Sequence, residues 1–217
     1  MKKIVNEFVI WTVMLVPFIF MISVWDALPY DVPTHFGVDG VADGWMSKPY
    51  FVCFLSALII GLYVLFLIIP KLDTKKKIDQ MGKKYYQLRL LMSIFFSLIS
   101  CVNIYFAVEG SLDNPQLLVA LIGILFAVIG NYSQTIRTNY YIGFRTPWTL
   151  ENEQVWKDTH LIGGRVWVVG GFFTILWSLF VKNNQVLFNG LIVIIALLVI
   201  IPSLYSYNSY KRQNINS

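Results

Sequence analysis

Apolar residues gather into six long runs, residues 8–25, 51–70, 90–108, 117–132, 166–181 and 186–207, separated by polar segments. A helix needs about 20 mostly apolar residues to cross roughly 30 Å of hydrocarbon at about 1.5 Å per residue. The fourth and fifth runs are short for this. They are expected to lengthen into their polar flanks, with Arg137 and Arg165 reaching back to the interface. The pattern predicts an all-α membrane protein of about six transmembrane helices.

Composition narrows the class further. The chain is 57% apolar and 13% charged, with a mean hydropathy of +0.63. Soluble domains carry about 25% charged residues, so this chain has too few polar groups to coat a water-exposed surface. The net charge of +5 is read as orientation and contact with anionic lipids, not direct nucleic-acid binding. Cys53 and Cys101 both fall inside apolar runs and are expected as small buried hydrophobes. The first run lacks a small-x-small cleavage site, since Trp25 and Asp26 occupy that region, and is read as an uncleaved span.

Charge asymmetry chooses an orientation. With both termini cytoplasmic, every basic residue but Lys48 and Lys182 falls on the inner side, as the positive-inside rule requires. The expected organisation is a two-span unit, 1–70, with an ordered extracytoplasmic loop at 26–50. A basic cytoplasmic link, 71–89, follows, and then a four-span unit, 90–217, with a cytoplasmic loop at 133–165.

Two of these loops are long enough to hold function. In the outer one, Pro33, His35, Phe36, Gly40, Asp43, Gly44 and Trp45 stand out. Asp39-Gly40 and Asp43-Gly44 are turn signals, because glycine accepts positive φ and aspartate bonds its own backbone. His35, Asp39 and Asp43 match no calcium-loop spacing and have no second outer histidine, so they read as turn residues and not metal ligands.

The inner loop offers Asn131, Arg137, Asn139, Gly143, Arg145, Thr146, Pro147, Trp148, Trp156 and His160. Thr146-Pro147 is an N-cap followed by proline at the first helical position. It predicts a short interfacial helix over 148–162, with Gly163-Gly164 as its stop. Arg137 and Arg145 suit either a clamp on a carboxylate or phosphate, or contact with lipid headgroups.

Catalysis has little support. His35 and His160 fall on opposite sides of the predicted membrane, and no serine or cysteine stands beside a base. A membrane enzyme acting on lipid or peptide through Arg137, Asn139, Arg145 and His160 is the alternative. A small transporter is disfavoured, because the runs carry no charge except Glu7 and Glu109 at their edges. No cofactor or metal is implied.

The inner segment Gly130-Asn131, Arg137-x-Asn139, Gly143-x-Arg145-Thr-Pro-Trp-Thr149, Trp156, Thr159-His160 and Gly163-Gly164 resembles the SdpI-family signature. The outer Pro33-x-His35-Phe36-x3-Gly40-x2-Asp43-Gly44-Trp45 resembles the domain of unknown function that commonly precedes it. Leu161 departs from the pattern, standing where relatives often carry a basic residue. The resemblance implies a bacterial cell-membrane immunity protein that protects against a secreted killing peptide sensed on the outer face. It also implies, as a further partner, a cytoplasmic autorepressor held by the inner loop so that the protein's own operon is induced.

Overall fold

The computed structural model describes residues 2–37 and 39–215. Among these are seven α-helices: α1 (Lys2–Ser23), α2 (Lys48–Leu72), α3 (Lys83–Glu109), α4 (Pro115–Ser133), α5 (Pro147–Glu151), α6 (Glu153–Phe180) and α7 (Asn184–Ile215). All except α5 are long and apolar enough to cross a membrane. The chain is an all-α, multi-pass membrane protein, with one addition. A β-hairpin, β1 (Asp31–Phe36) and β2 (Ala42–Ser47), joins α1 to α2.

Two compact units make up the chain. The first comprises Met1–Leu72 and Gly82–Leu118; the second comprises Asp73–Met81 and Val119–Ser217. In the first, α1 and α2 both pack on α3, with Ile10, Met14, Phe51, Leu55, Ile59, Ile104 and Ala107 buried between them. The hairpin adds Val32 to the same core. In the second, α6 packs on α7, and Val119, Leu187 and Leu191 are buried together.

Three prolines lie deep within long helices: Pro17, Pro70 and Pro202. A helical proline has no N–H to offer the carbonyl four residues earlier, and hydrocarbon supplies no water in its place. A neighbouring helix meets the need each time. Ser97 donates to the carbonyl of Val13 (2.9 Å), the Tyr85 hydroxyl to that of Phe66 (2.6 Å), and the Trp167 indole to that of Leu198 (2.7 Å). The first two bonds tie α1 and α2 to α3; the third ties α7 to α6.

The glycine pair at 163–164 is not a helix stop. α6 runs from Glu153 through both glycines to Phe180, so the helix expected over 148–162 is instead the five-residue α5 followed by the first turns of α6. The glycines serve a close crossing with α4. A Cβ on Gly164 would stand 2.6 Å from the Gly130 carbonyl, and one on Gly171 would stand 2.6 Å from that of Gly123. Small residues seven apart on each helix bring the two backbones together, as they do in membrane helix pairs.

α3 also begins earlier than expected. It starts at Lys83, so Arg89 lies inside a long helix. There its guanidinium is buried against Glu7 of α1.

Candidate functional site

The hairpin is built around the turn expected at Asp39-Gly40. Gly40 has φ +83°, and the Asp39 carboxylate accepts from the backbone N–H of Val41 at 3.1 Å. Asp43-Gly44 is no turn: Gly44 sits in β2 opposite His35, where the register is irregular. A Cβ at Gly44 would stand 3.0 Å from that of His35, so glycine lets the strands close up. Asp43 pairs with His35 Nδ1 on the exposed surface. Pro33 is buried and Phe36 half-buried, whereas Trp45 is exposed. Among the described residues no group of three or more His, Cys, Asp or Glu is placed to hold a metal ion.

At the hairpin's base, Lys48 binds the end of α1. Its ammonium donates to the carbonyls of Trp25 (2.5 Å) and Leu28 (3.1 Å) and lies 4.2 Å over the Trp25 ring. A cation suits the carbonyl end of a helix. Tyr30, Val41, Trp45 and Tyr50 are all exposed here, as aromatic-rich belts at a membrane–water boundary are.

The motif loop between α4 and α5 folds tightly on itself. Asn139, only 1% exposed, uses its whole amide. Its nitrogen donates to the carbonyls of Arg137 (2.8 Å) and Ile142 (3.1 Å), and its oxygen accepts from the N–H groups of Tyr141 (2.8 Å) and Ile142 (2.7 Å). Asparagine is suited to this, having two donors and an acceptor on one short stem. The chain then turns at Gly143, with φ +115°. A Cβ there would collide with His160 Nε2, so both conformation and space call for glycine.

His160 is fully committed. Its Nε2 accepts from the N–H of Phe144 (3.0 Å), which leaves Nδ1 carrying the proton given to the Trp156 carbonyl (2.8 Å). The ring stacks on Trp156 with centroids 4.0 Å apart. Trp156 is itself fully buried and donates from its indole to the carbonyl of Ile136 (2.9 Å). The two residues clamp both ends of the loop onto α6.

α5 starts as expected. Thr146 and Thr149 form a reciprocal cap, with Thr146 N–H donating to Thr149 Oγ1 (2.9 Å) and Thr149 N–H to Thr146 Oγ1 (3.3 Å), ahead of Pro147. Thr146 also meets Ser206 of α7 at 3.1 Å, and Trp148 packs edge-on against Tyr207. Asn152 then caps α6 by accepting from the N–H groups of Gln154 and Val155.

The two motif arginines do not converge on one cleft. Arg145 is exposed and donates to the Tyr140 carbonyl at 2.5 Å. Arg137 lines an open cleft with Lys77, Gln80, Gln134, Thr138 and Glu151, and Arg145 is not among its lining residues. Asn131 lies exposed on α4.

Sequence reading missed Glu7, Tyr63 and Arg89. The guanidinium grips the Glu7 carboxylate with two bonds, 2.7 and 2.8 Å, and the Tyr63 hydroxyl adds a third at 2.8 Å. The one signal available was a charged residue at the margin of each of two apolar runs.

Residues 135–206 match the family model described as the SdpI/YfhL protein family, and residues 12–60 match a domain of unknown function, DUF1648. The chain carries an SdpI-family segment. That segment takes in nearly all of the motif loop and runs through α5 and α6 into α7; the other takes in most of α1, the whole hairpin and the first half of α2. The chain is also 28% identical to the immunity protein SdpI of Bacillus subtilis (strain 168), over 99% of both chains. No solved structure matches it.

Proposed function

We propose that this chain is an integral membrane immunity protein of a bacterial cell, giving resistance to a secreted antimicrobial peptide. The observation that carries the reading is likeness along the whole length: 28% identity over 99% of a relative named for immunity. In this reading both termini are cytoplasmic. The hairpin, with Pro33, His35, Phe36, Gly40, Asp43, Gly44 and Trp45, faces outward and meets the peptide. The exposed Trp45, Tyr30 and Tyr50 suit a partner that itself seeks the membrane surface.

The motif loop then faces the cytoplasm, where a transcriptional repressor and anionic lipids are its partners. Protection involves no catalytic turnover. Supporting this, Asn139 and His160 spend their polar atoms on the loop's own backbone, and a general base needs a free lone pair within reach of substrate.

The test is survival of a toxin-sensitive bacterium expressing the chain, challenged with a purified killing peptide of the kind countered by the relative. Expressing cells should survive doses that kill cells carrying an empty vector. Equal killing, with the protein present in the membrane, would overturn the reading.

A further inference from the structure

The second unit contains a cleft that the immunity reading does not use. Asp73 accepts from the backbone N–H groups of Lys75 (3.3 Å) and Ile78 (2.7 Å), folding 73–81 into a compact turn with Ile78 buried beneath it. The turn presents Lys77 and Gln80 to the cleft, and the motif loop presents Gln134, Arg137 and Thr138. The volume is about 650 Å³, within the usual range for small-ligand sites of roughly 300–1,000 Å³.

The cleft's charges are unevenly satisfied. Its two carboxylates are engaged, Glu153 by Lys157 at 3.1 Å and Glu151 by the Tyr210 hydroxyl at 3.1 Å. Lys77 and Arg137 have no carboxylate partner among the described residues. In the same cleft the Thr138 hydroxyl is buried with no hydrogen-bond partner among the described residues. An unmet buried hydroxyl is costly, and a ligand oxygen would satisfy it. A guanidinium, an ammonium, two amides and a hydroxyl together offer more donors than a carboxylate can accept in one place. A phosphate has enough oxygens, and arginine's planar fork suits it.

We propose that this cleft binds a phosphate group, carried by an anionic lipid or free in solution, with Arg137 and Lys77 as its charged contacts. The cleft lies where α4 ends and α6 begins, at the level of headgroups if these helices span the bilayer.

The full chain, purified in neutral detergent, would be titrated separately with phosphatidylglycerol, with diacylglycerol and with inorganic phosphate. Saturable binding of phosphatidylglycerol alone supports the proposal and names a lipid as the source. Saturable binding of inorganic phosphate, with or without the lipid, supports it and names a soluble anion. Diacylglycerol, with no phosphate, should not compete. Lys77→Gln/Arg137→Gln should weaken binding about tenfold or more, whereas Lys77→Arg/Arg137→Lys retains most of it. Lys211→Gln/Arg212→Gln removes the same charge elsewhere and should change nothing.

The wild-type chain supplies a second test, independent of how any variant folds. Bound phosphate or phosphatidylglycerol should shield Lys77 from a water-soluble acylating reagent and leave Lys211 reactive. No phosphate-dependent binding, equal loss in the Lys211/Arg212 variant, or no shielding of Lys77 would each overturn the proposal.

Discussion

The guanidinium of Arg89 meets the carboxylate of Glu7 through two nearly parallel bonds, 2.7 and 2.8 Å long, across 82 positions of sequence. The Arg89 side chain is 11% exposed and that of Glu7 35%, and Tyr63 binds the same carboxylate from α2. One ion pair therefore links three helices of the first unit.

Removing one partner strands the other. Arg89→Met should lower stability by about 3 kcal/mol, in the range measured when one member of a buried pair is deleted. Glu7→Gln/Arg89→Met, with no charge left to strand, should recover part of that loss. Thermal unfolding in detergent checks both. A double variant as unstable as the sum of the two single ones would mean that the pair is not coupled.

The proline-freed carbonyls give a sharper test. Trp167→Phe leaves the Leu198 carbonyl without a donor and should cost about 1–2 kcal/mol. In a Pro202→Ala background the helix regains its own N–H at that carbonyl, so Trp167→Phe should then cost much less. Tyr85→Phe with Pro70→Ala should follow the same cycle. Equal costs in both backgrounds, measured by unfolding, would show that the side chains do not answer the prolines.

Gly143 combines a positive φ with contact against His160. Gly143→Ala should destabilise the motif loop by roughly 1–3 kcal/mol, the usual cost of forcing a side chain into a strained backbone. Limited proteolysis should then cut within 134–146 at a protease concentration that leaves the wild type intact. Unchanged protection would contradict the packing described.

The six spans were legible because hydrocarbon solvates apolar side chains uniformly, so the signal lies in each run by itself. The Asp39-Gly40 turn and the Thr146-Pro147 helix start were legible for a similar reason: their chemistry is local. Gly163-Gly164 misled because the same residues that end a helix in water let helices approach in a membrane, and only Gly130 and Gly123 on α4 reveal which applies. Arg89 looked like part of a basic link until Glu7 was found beside it. Asn139 and His160 were singled out correctly as residues of interest, but residue type could not tell a catalytic pair from a loop clamp. Their backbone partners decide that, and those depend on the fold.

The central claim is protection by an immunity protein without turnover. The measurement that tests it most directly is the lethal dose of killing peptide as a function of the number of copies of this chain in the membrane. The account predicts that the lethal dose rises with copy number and that His160→Gln, where it still folds, raises it to the same degree per copy. A lethal dose that never exceeds that of vector-only cells would contradict immunity. Protection lost in a folded, membrane-inserted His160→Gln protein would contradict the non-catalytic mechanism.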